Sequence, residues 1–126
     1  MPGLTLSRPT ETSVLAVLRG GAGPGKTVLL RADMDALPIT EATGAEYASK
    51  TPGAMHACGH DVHTTALLGA CALIDAHRES WQGTFLALFQ PAEEQLPGGA
   101  VQMIAQGLLK DIPRAFALHC DPKVDL

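Results

Sequence analysis

The chain has 126 residues, enough for one domain whose core buries about two-thirds of the unfolded surface. Nine basic against thirteen acidic residues leave a net charge of -4, a poor composition for binding nucleic acid or an anionic membrane. Hydrophobic content of 46% argues against disorder, and no apolar run approaches the ~20 residues of a membrane span. The first eight residues lack an apolar stretch of signal-peptide length, so a cytoplasmic location is expected. Three cysteines without framework spacing fit free thiols or ligands better than disulfides.

In chain order, residues Ser13–Arg19 read as a strand, Gly20–Gly25 as a turn, and Lys26–Arg31 as a second strand leading to Asp33 and Asp35. A long polar loop with Pro38, Pro52 and Gly53 runs to Gly59. From His60 to His77 the spacing of Val62, Ala66, Leu67, Ala70, Leu73 and Ile74 predicts a helix. Thr84–Phe89 is near-continuously apolar, as in a buried strand. Pro91–Gly99 reads as a loop, Ala100–Leu109 as a short helix and Arg114–His119 as a fourth strand. Later strands alternating with helices predict an α/β layered sheet of about four strands and two helices.

That order places chemistry on one edge. Asp33, Asp35, Glu93, Glu94 and His119 fall at carboxyl ends of expected strands, and Cys58 and His60 at the start of a helix. Ligands in open α/β sheets collect at this edge. Thiolate, imidazole and carboxylate donors from separate segments make a candidate catalytic transition-metal site. A helix N-terminus and a nearby cation would favour the thiolate of Cys58, and Gly59 lets Cys58 and His60 converge. His60 is a borderline ligand by chemistry. Glu93 and Glu94 diverge, so one can hold a cation while the other faces the attacking water as general base.

Blander readings stand beside these. Cys71 and Cys120 fit small buried hydrophobes, His63 a polar surface residue, and His77 a partner of the helix dipole. Asp61 fits either an imidazole-orienting acid or a first-turn acid. His56 is ambiguous, Glu93 and Glu94 could form a solvated loop pair, and an isolated His119 could be a satisfied core histidine. Gly20–Thr27 matches the phosphate-binding pattern G-x-x-x-x-G-K-[ST]. That motif requires a helix after it, whereas Thr27–Arg31 is β-branched and aliphatic; the glycines read as a hairpin turn instead.

The blocks Arg31–Pro38, Met55–Asp61, Phe89–Glu94 and Ala117–His119 together resemble the metal-dependent amidohydrolase branch of the aminoacylase/carboxypeptidase superfamily, which includes hippurate and indole-acetyl-amino-acid hydrolases. The resemblance runs from about Ser13 to Pro122. It implies a three-layer α/β/α zinc-exopeptidase-like catalytic domain and hydrolysis of N-acyl amino acids or related amides. It also implies two divalent metal ions, with Zn, Mn, Co and Ni all suited to the donors. Carried over residue by residue, Cys58, His60, Glu94 and His119 look like metal ligands, Glu93 like the general base and Asp35 like the acid supporting the site. Asp33 stands where the wider superfamily often has a ligand histidine, and is not counted as a ligand.

Family members also carry a lid or dimerisation domain and a C-terminal catalytic part, with a last ligand histidine, that residues 1–126 do not contain. The resemblance therefore implies a partial catalytic domain, inactive or nearly so in isolation, from a parent able to form homo-oligomers. A small-molecule substrate is expected, with neither nucleic acid nor membrane as partner. The competing readings are a P-loop nucleotide module using Gly20–Thr27 and a non-catalytic metal-binding remnant.

Overall fold

The structure, a computed structural model, describes residues 3–121 and 123. Five strands form one mixed sheet: β1 (Leu4–Ser7), β2 (Val14–Arg19), β3 (Thr27–Asp33), β4 (Thr84–Gln90) and β5 (Ala115–Ala117), in spatial order β1-β2-β4-β3-β5. Two α-helices, α1 (His60–Ala76) and α2 (Gly99–Ala105), and a short 3-10 turn at Arg78–Ser80 complete the described elements. The α/β layered class is as the sequence predicts. β1 is an addition: its four residues are too short and too exposed to carry a periodic signal.

β4 is the centre of the sheet. It runs parallel to β3 and antiparallel to β2. Its alternation puts Phe85, Ala87 and Phe89 in a cluster with Leu67 and Cys71 of α1, and Leu88 in a second cluster with Leu29 and Met103 of α2. Period-two alternation sends successive side chains to opposite faces, so a sheet covered on both faces needs a continuously apolar strand. That is why Phe85–Phe89 lacks polar positions. The core is mostly aliphatic, with Phe85 and Phe89 as its buried aromatics.

The glycine-rich segment is not a hairpin turn. β4 lies between β2 and β3, so residues 20–26 cross over its amino end instead of joining adjacent strands. Backbone bonds tie the crossing down: Gly20 N–H to Gly83 O at 3.0 Å, Gly83 N–H to Gly23 O at 3.0 Å and Thr84 N–H to Lys26 O at 3.0 Å. Gly83 has φ of +100° and a Cβ there would sit 2.3 Å from Lys26 O, so the crossing requires glycine. Thr27 opens a strand, not a helix. The segment therefore lacks the helix N-terminus that a phosphate-binding loop uses.

Helix α1 buries Leu67 and packs Ile74 on the core as its apolar spacing predicts, but the buried stripe is shifted. His60, His63, Leu67 and Cys71 are buried, while Val62 and Leu73 are 53% and 67% exposed. Polar groups at the sheet edge, above all Asp33 and Asp35, give the two histidines partners and rotate the helix toward them. Helix α2 ends at Ala105, short of the expected Leu109, and Gly107 follows at φ +79°. β5 ends at Ala117, so His119 lies beyond the strand rather than within it. β5 is an edge strand among the described residues, and Phe116 and Leu118 are largely exposed.

Candidate metal centre

β3, β4 and β5 are parallel to one another through their register, so their carboxyl ends share one edge. From β3 come Asp33 and, two residues on, Asp35. After β4 come Glu93 and Glu94; after β5 comes His119; and α1 begins there with His60. Cys58 precedes Gly59, which caps α1 at φ 81°. A Cβ on Gly59 would approach Cys120 Cβ to 3.2 Å. Only a residue without a side chain turns there while the α1 start packs against the segment after β5.

His60 is the hub. It is 1% exposed, and its Nδ1 lies 3.0 Å from the Asp35 backbone oxygen. A carbonyl only accepts, so Nδ1 carries a proton; in the neutral ring Nε2 then holds the lone pair. That Nε2 is buried and has no hydrogen-bond partner among the described residues. It lies 3.7 Å from Asp33 Oδ2, 3.9 Å from Glu94 Oε1 and 4.0 Å from Glu93 Oε2. His60 belongs to each of three donor clusters: with Cys58 and His119, with Glu93 and Glu94, and with Asp33 and His63. In each, the donor atoms lie within 4.8 Å of one another.

His119 is arranged in the same way. Its Nδ1 donates to Cys120 O at 2.7 Å, leaving Nε2 3.5 Å from Cys58 Sγ. In both rings an N–H to a backbone carbonyl fixes the tautomer and turns the other nitrogen toward the cluster, an arrangement that raises donor basicity. Asp35 supports this edge from below. Its Oδ2 accepts Glu94 N–H at 3.1 Å, and its Oδ1 lies 3.4 Å from His60 Nδ1. Burial alone raises the pKa of Asp35, but backbone amides of Glu94, Glu93 and its own residue, with His60, outweigh it and hold the carboxyl below its ordinary value.

The electrostatics of Cys58 differ from the sequence expectation. Its thiol pKa is raised, first by hydrogen bonding to Glu94, then by burial and by the charges of Glu94, Glu93 and Asp33. The surrounding carboxylates outweigh the helix N-terminus. A thiol and several carboxylates crowding a partnerless imidazole nitrogen is the donor chemistry of a cation site, because a cation reverses each of these repulsions.

His63 is a correction. It is buried, not a polar surface residue: Nδ1 lies 2.6 Å from Asp33 Oδ1, and Nε2 accepts Cys120 N–H at 2.8 Å. Asp33 is equally occupied, with Arg31 Nη1 2.7 Å from its other oxygen and Arg31 Nε 2.8 Å from Gln90 Oε1. Burial pushes the Asp33 pKa up, yet His63, Arg31 and His60 together hold it below the ordinary value. Sequence reasoning found no role for Arg31, Gln90 or His63; their polarity at otherwise apolar strand ends and on the inner helix face was the available signal. Cys71 is a buried thiol, as expected, whereas Cys120, expected to be a buried hydrophobe, is exposed because it follows β5 instead of lying within a covered strand. Asp61 is an exposed first-turn acid, and His56 and His77 are exposed.

An α/β domain with thiol, imidazole and carboxylate donors converging on the carboxyl edge of its parallel strands defines the class. Residues 29–126 match the model of Peptidase family M20/M25/M40, and the chain belongs to that family. It is 50% identical over 116 residues to an N-acyl-L-amino acid amidohydrolase of Geobacillus stearothermophilus, covering 92% of this chain and 31% of that protein. Over 99 residues it is 52% identical to IAA-amino acid hydrolase ILR1-like 5 of Arabidopsis thaliana, covering 79% of this chain and 22% of that one. The crystal structure of the Bacillus subtilis YXEP protein, described as a dinuclear metal binding peptidase from the M20 family, superposes with a TM-score of 0.89 at 37% identity. It covers 96% of this chain and 34% of that chain. The chain thus spans less than a third of the length of the curated relatives it matches.

Proposed function

We propose that the chain forms part of a metal-dependent amidohydrolase that releases the amino acid from N-acyl amino acids or related amides. The observation that carries this reading is the buried His60 Nε2, without a hydrogen-bond partner among the described residues and about 4 Å from Glu93 and Glu94, in a residue that also clusters with Cys58 and His119. Cys58, His60, Glu94 and His119 would hold the metal, as two divalent ions drawn from Zn²⁺, Mn²⁺, Co²⁺ and Ni²⁺. When bound, the ions polarise the scissile carbonyl and acidify the attacking water. The relatives named for N-acyl and IAA-amino acid hydrolysis support the substrate class.

The chain's own residues have separable tasks. Glu94 contacts the Cys58 thiol and, through its N–H, Asp35, which supports a ligand role. Glu93 is the more exposed carboxylate, at 40% against 30% for Glu94. As general base it takes a proton from the attacking water and returns it to the leaving amine nitrogen. Asp35 holds His60 and the Glu94 backbone in register through its carbonyl and carboxylate.

The activity belongs to a protein of the relatives' length, cytoplasmic and able to form homo-oligomers; the 126 residues alone are inactive or nearly so. Cobalt titration of the 126-residue chain tests the metal site: a thiolate-to-cobalt absorption band that Cys58→Ser removes is expected. Absence of cobalt uptake overturns the reading. Chelator-sensitive amino-acid release by the 126-residue chain overturns the inactivity clause.

A further inference from the structure

Resting on the metal-site reading above, we propose that His63 is a positioning residue, a neutral imidazole protonated on Nδ1 that clamps the Cys120 peptide and so presents His119 to Cys58 and His60. The tautomer follows from hydrogen-bond direction. A backbone N–H only donates, so the Cys120 N–H 2.8 Å from His63 Nε2 requires a lone pair on that nitrogen. The remaining proton is then on Nδ1, where it meets Asp33 Oδ1 at 2.6 Å. With both nitrogens engaged, His63 is not free to act as a ligand in this arrangement, although it belongs to a donor cluster by distance.

The clamp acts where the sheet ceases to. The β3–β5 ladder ends at the pair Arg31–Ala117, two residues before His119. Past that point the backbone of Cys120 is held at both its N–H and its carbonyl. His63 takes its N–H, and its carbonyl accepts His119 Nδ1 at 2.7 Å. The second bond orients the His119 ring, whose centroid is 4.7 Å from that of His63 and 6.1 Å from that of His60. The clamp is itself anchored, because Asp33 is 1% exposed and held by Arg31, which Gln90 holds in turn. A line of contacts thus runs from the end of β4 through β3 and α1 to the segment after β5. Loss of an outer partner of a metal ligand typically costs about 10–100-fold in metal affinity.

Two measurements on the 126-residue chain decide it. Nitrogen-15 NMR should show His63 protonated on Nδ1, with a through-hydrogen-bond coupling between Cys120 N and His63 Nε2. An Nε2-protonated ring, or no coupling, overturns the proposal, and this readout needs no variant. Cobalt titration should then show affinity lowered about 10–100-fold in His63→Asn, with an altered visible spectrum. His63→Gln, whose terminal amide oxygen reaches the Nε2 position, should recover most of the loss. A purely structural role would lower the thermal midpoint of both variants and leave cobalt affinity and spectrum unchanged, which also overturns it. Failure of the wild-type chain to take up cobalt removes the metal reading instead, and the NMR coupling still decides whether His63 holds the His119 segment.

Discussion

The Nδ1–H of His60 meets the backbone oxygen of Asp35 at 3.0 Å, and Nε2 of this residue, which all three donor clusters share, is buried without a hydrogen-bond partner among the described residues. Removing that nitrogen should therefore do more than removing any other donor. His60→Ala is expected to abolish cobalt binding at both positions, whereas Cys58→Ser and Glu94→Gln each weaken it. Isothermal titration of the 126-residue chain gives the stoichiometry; unchanged binding in His60→Ala would show that the clusters do not depend on it.

The two adjacent glutamates should separate by readout. In a protein of the relatives' length, Glu93→Gln is expected to leave metal content intact and lower kcat at least ~100-fold, the range of a lost general base. Glu94→Gln is expected to lower metal content first. Metal analysis beside steady-state kinetics distinguishes them, and the opposite pattern would exchange their roles.

Acid stability should report Asp33. Its folded pKa lies below the ordinary value of 3.8, so its stabilisation is fully present above that value and is lost as pH falls through the folded pKa. Urea unfolding of the metal-free chain should show a steep loss of stability below about pH 4 that Asp33→Asn makes shallower. Asp35, also depressed, leaves a residual slope. At neutral pH, Asp33→Ala strands Arg31 and His63 and should cost on the order of 3 kcal/mol.

Thiol labelling should rank the cysteines by environment. Cys120 is exposed; Cys58 has its thiol pKa raised by Glu94, and Cys71 by burial. Less thiolate means slower alkylation. With iodoacetamide at neutral pH, mass spectrometry should find Cys120 modified first and Cys71 last. Added zinc should slow Cys58 further; equal rates at Cys58 and Cys120 would contradict the carboxylate effect.

The crossing at the amino end of β4 should be intolerant of side chains. Gly83→Ala combines a positive φ with a Cβ 2.3 Å from Lys26 O, and is expected to destabilise by more than ~1 kcal/mol. Lys26→Ala, by contrast, should leave metal binding unchanged. Chemical denaturation measures the first and cobalt titration the second.

The sequence by itself determined the α/β class, most element positions, and the collection of Cys58, His60, Glu93, Glu94 and His119 on one edge. Strand direction and chain order place strand ends, and donor chemistry is a property of residue type, so both are local information. Only the tertiary structure decided that β4 separates β2 from β3, turning an expected hairpin into a crossover. It also decided that α1 faces inward with His63, and that Asp33, Arg31 and Gln90 bond to one another. Those outcomes depend on which distant groups meet. A buried polar atom must find its partner wherever the fold supplies one, here up to 59 residues away between Arg31 and Gln90, and no local periodicity encodes that meeting.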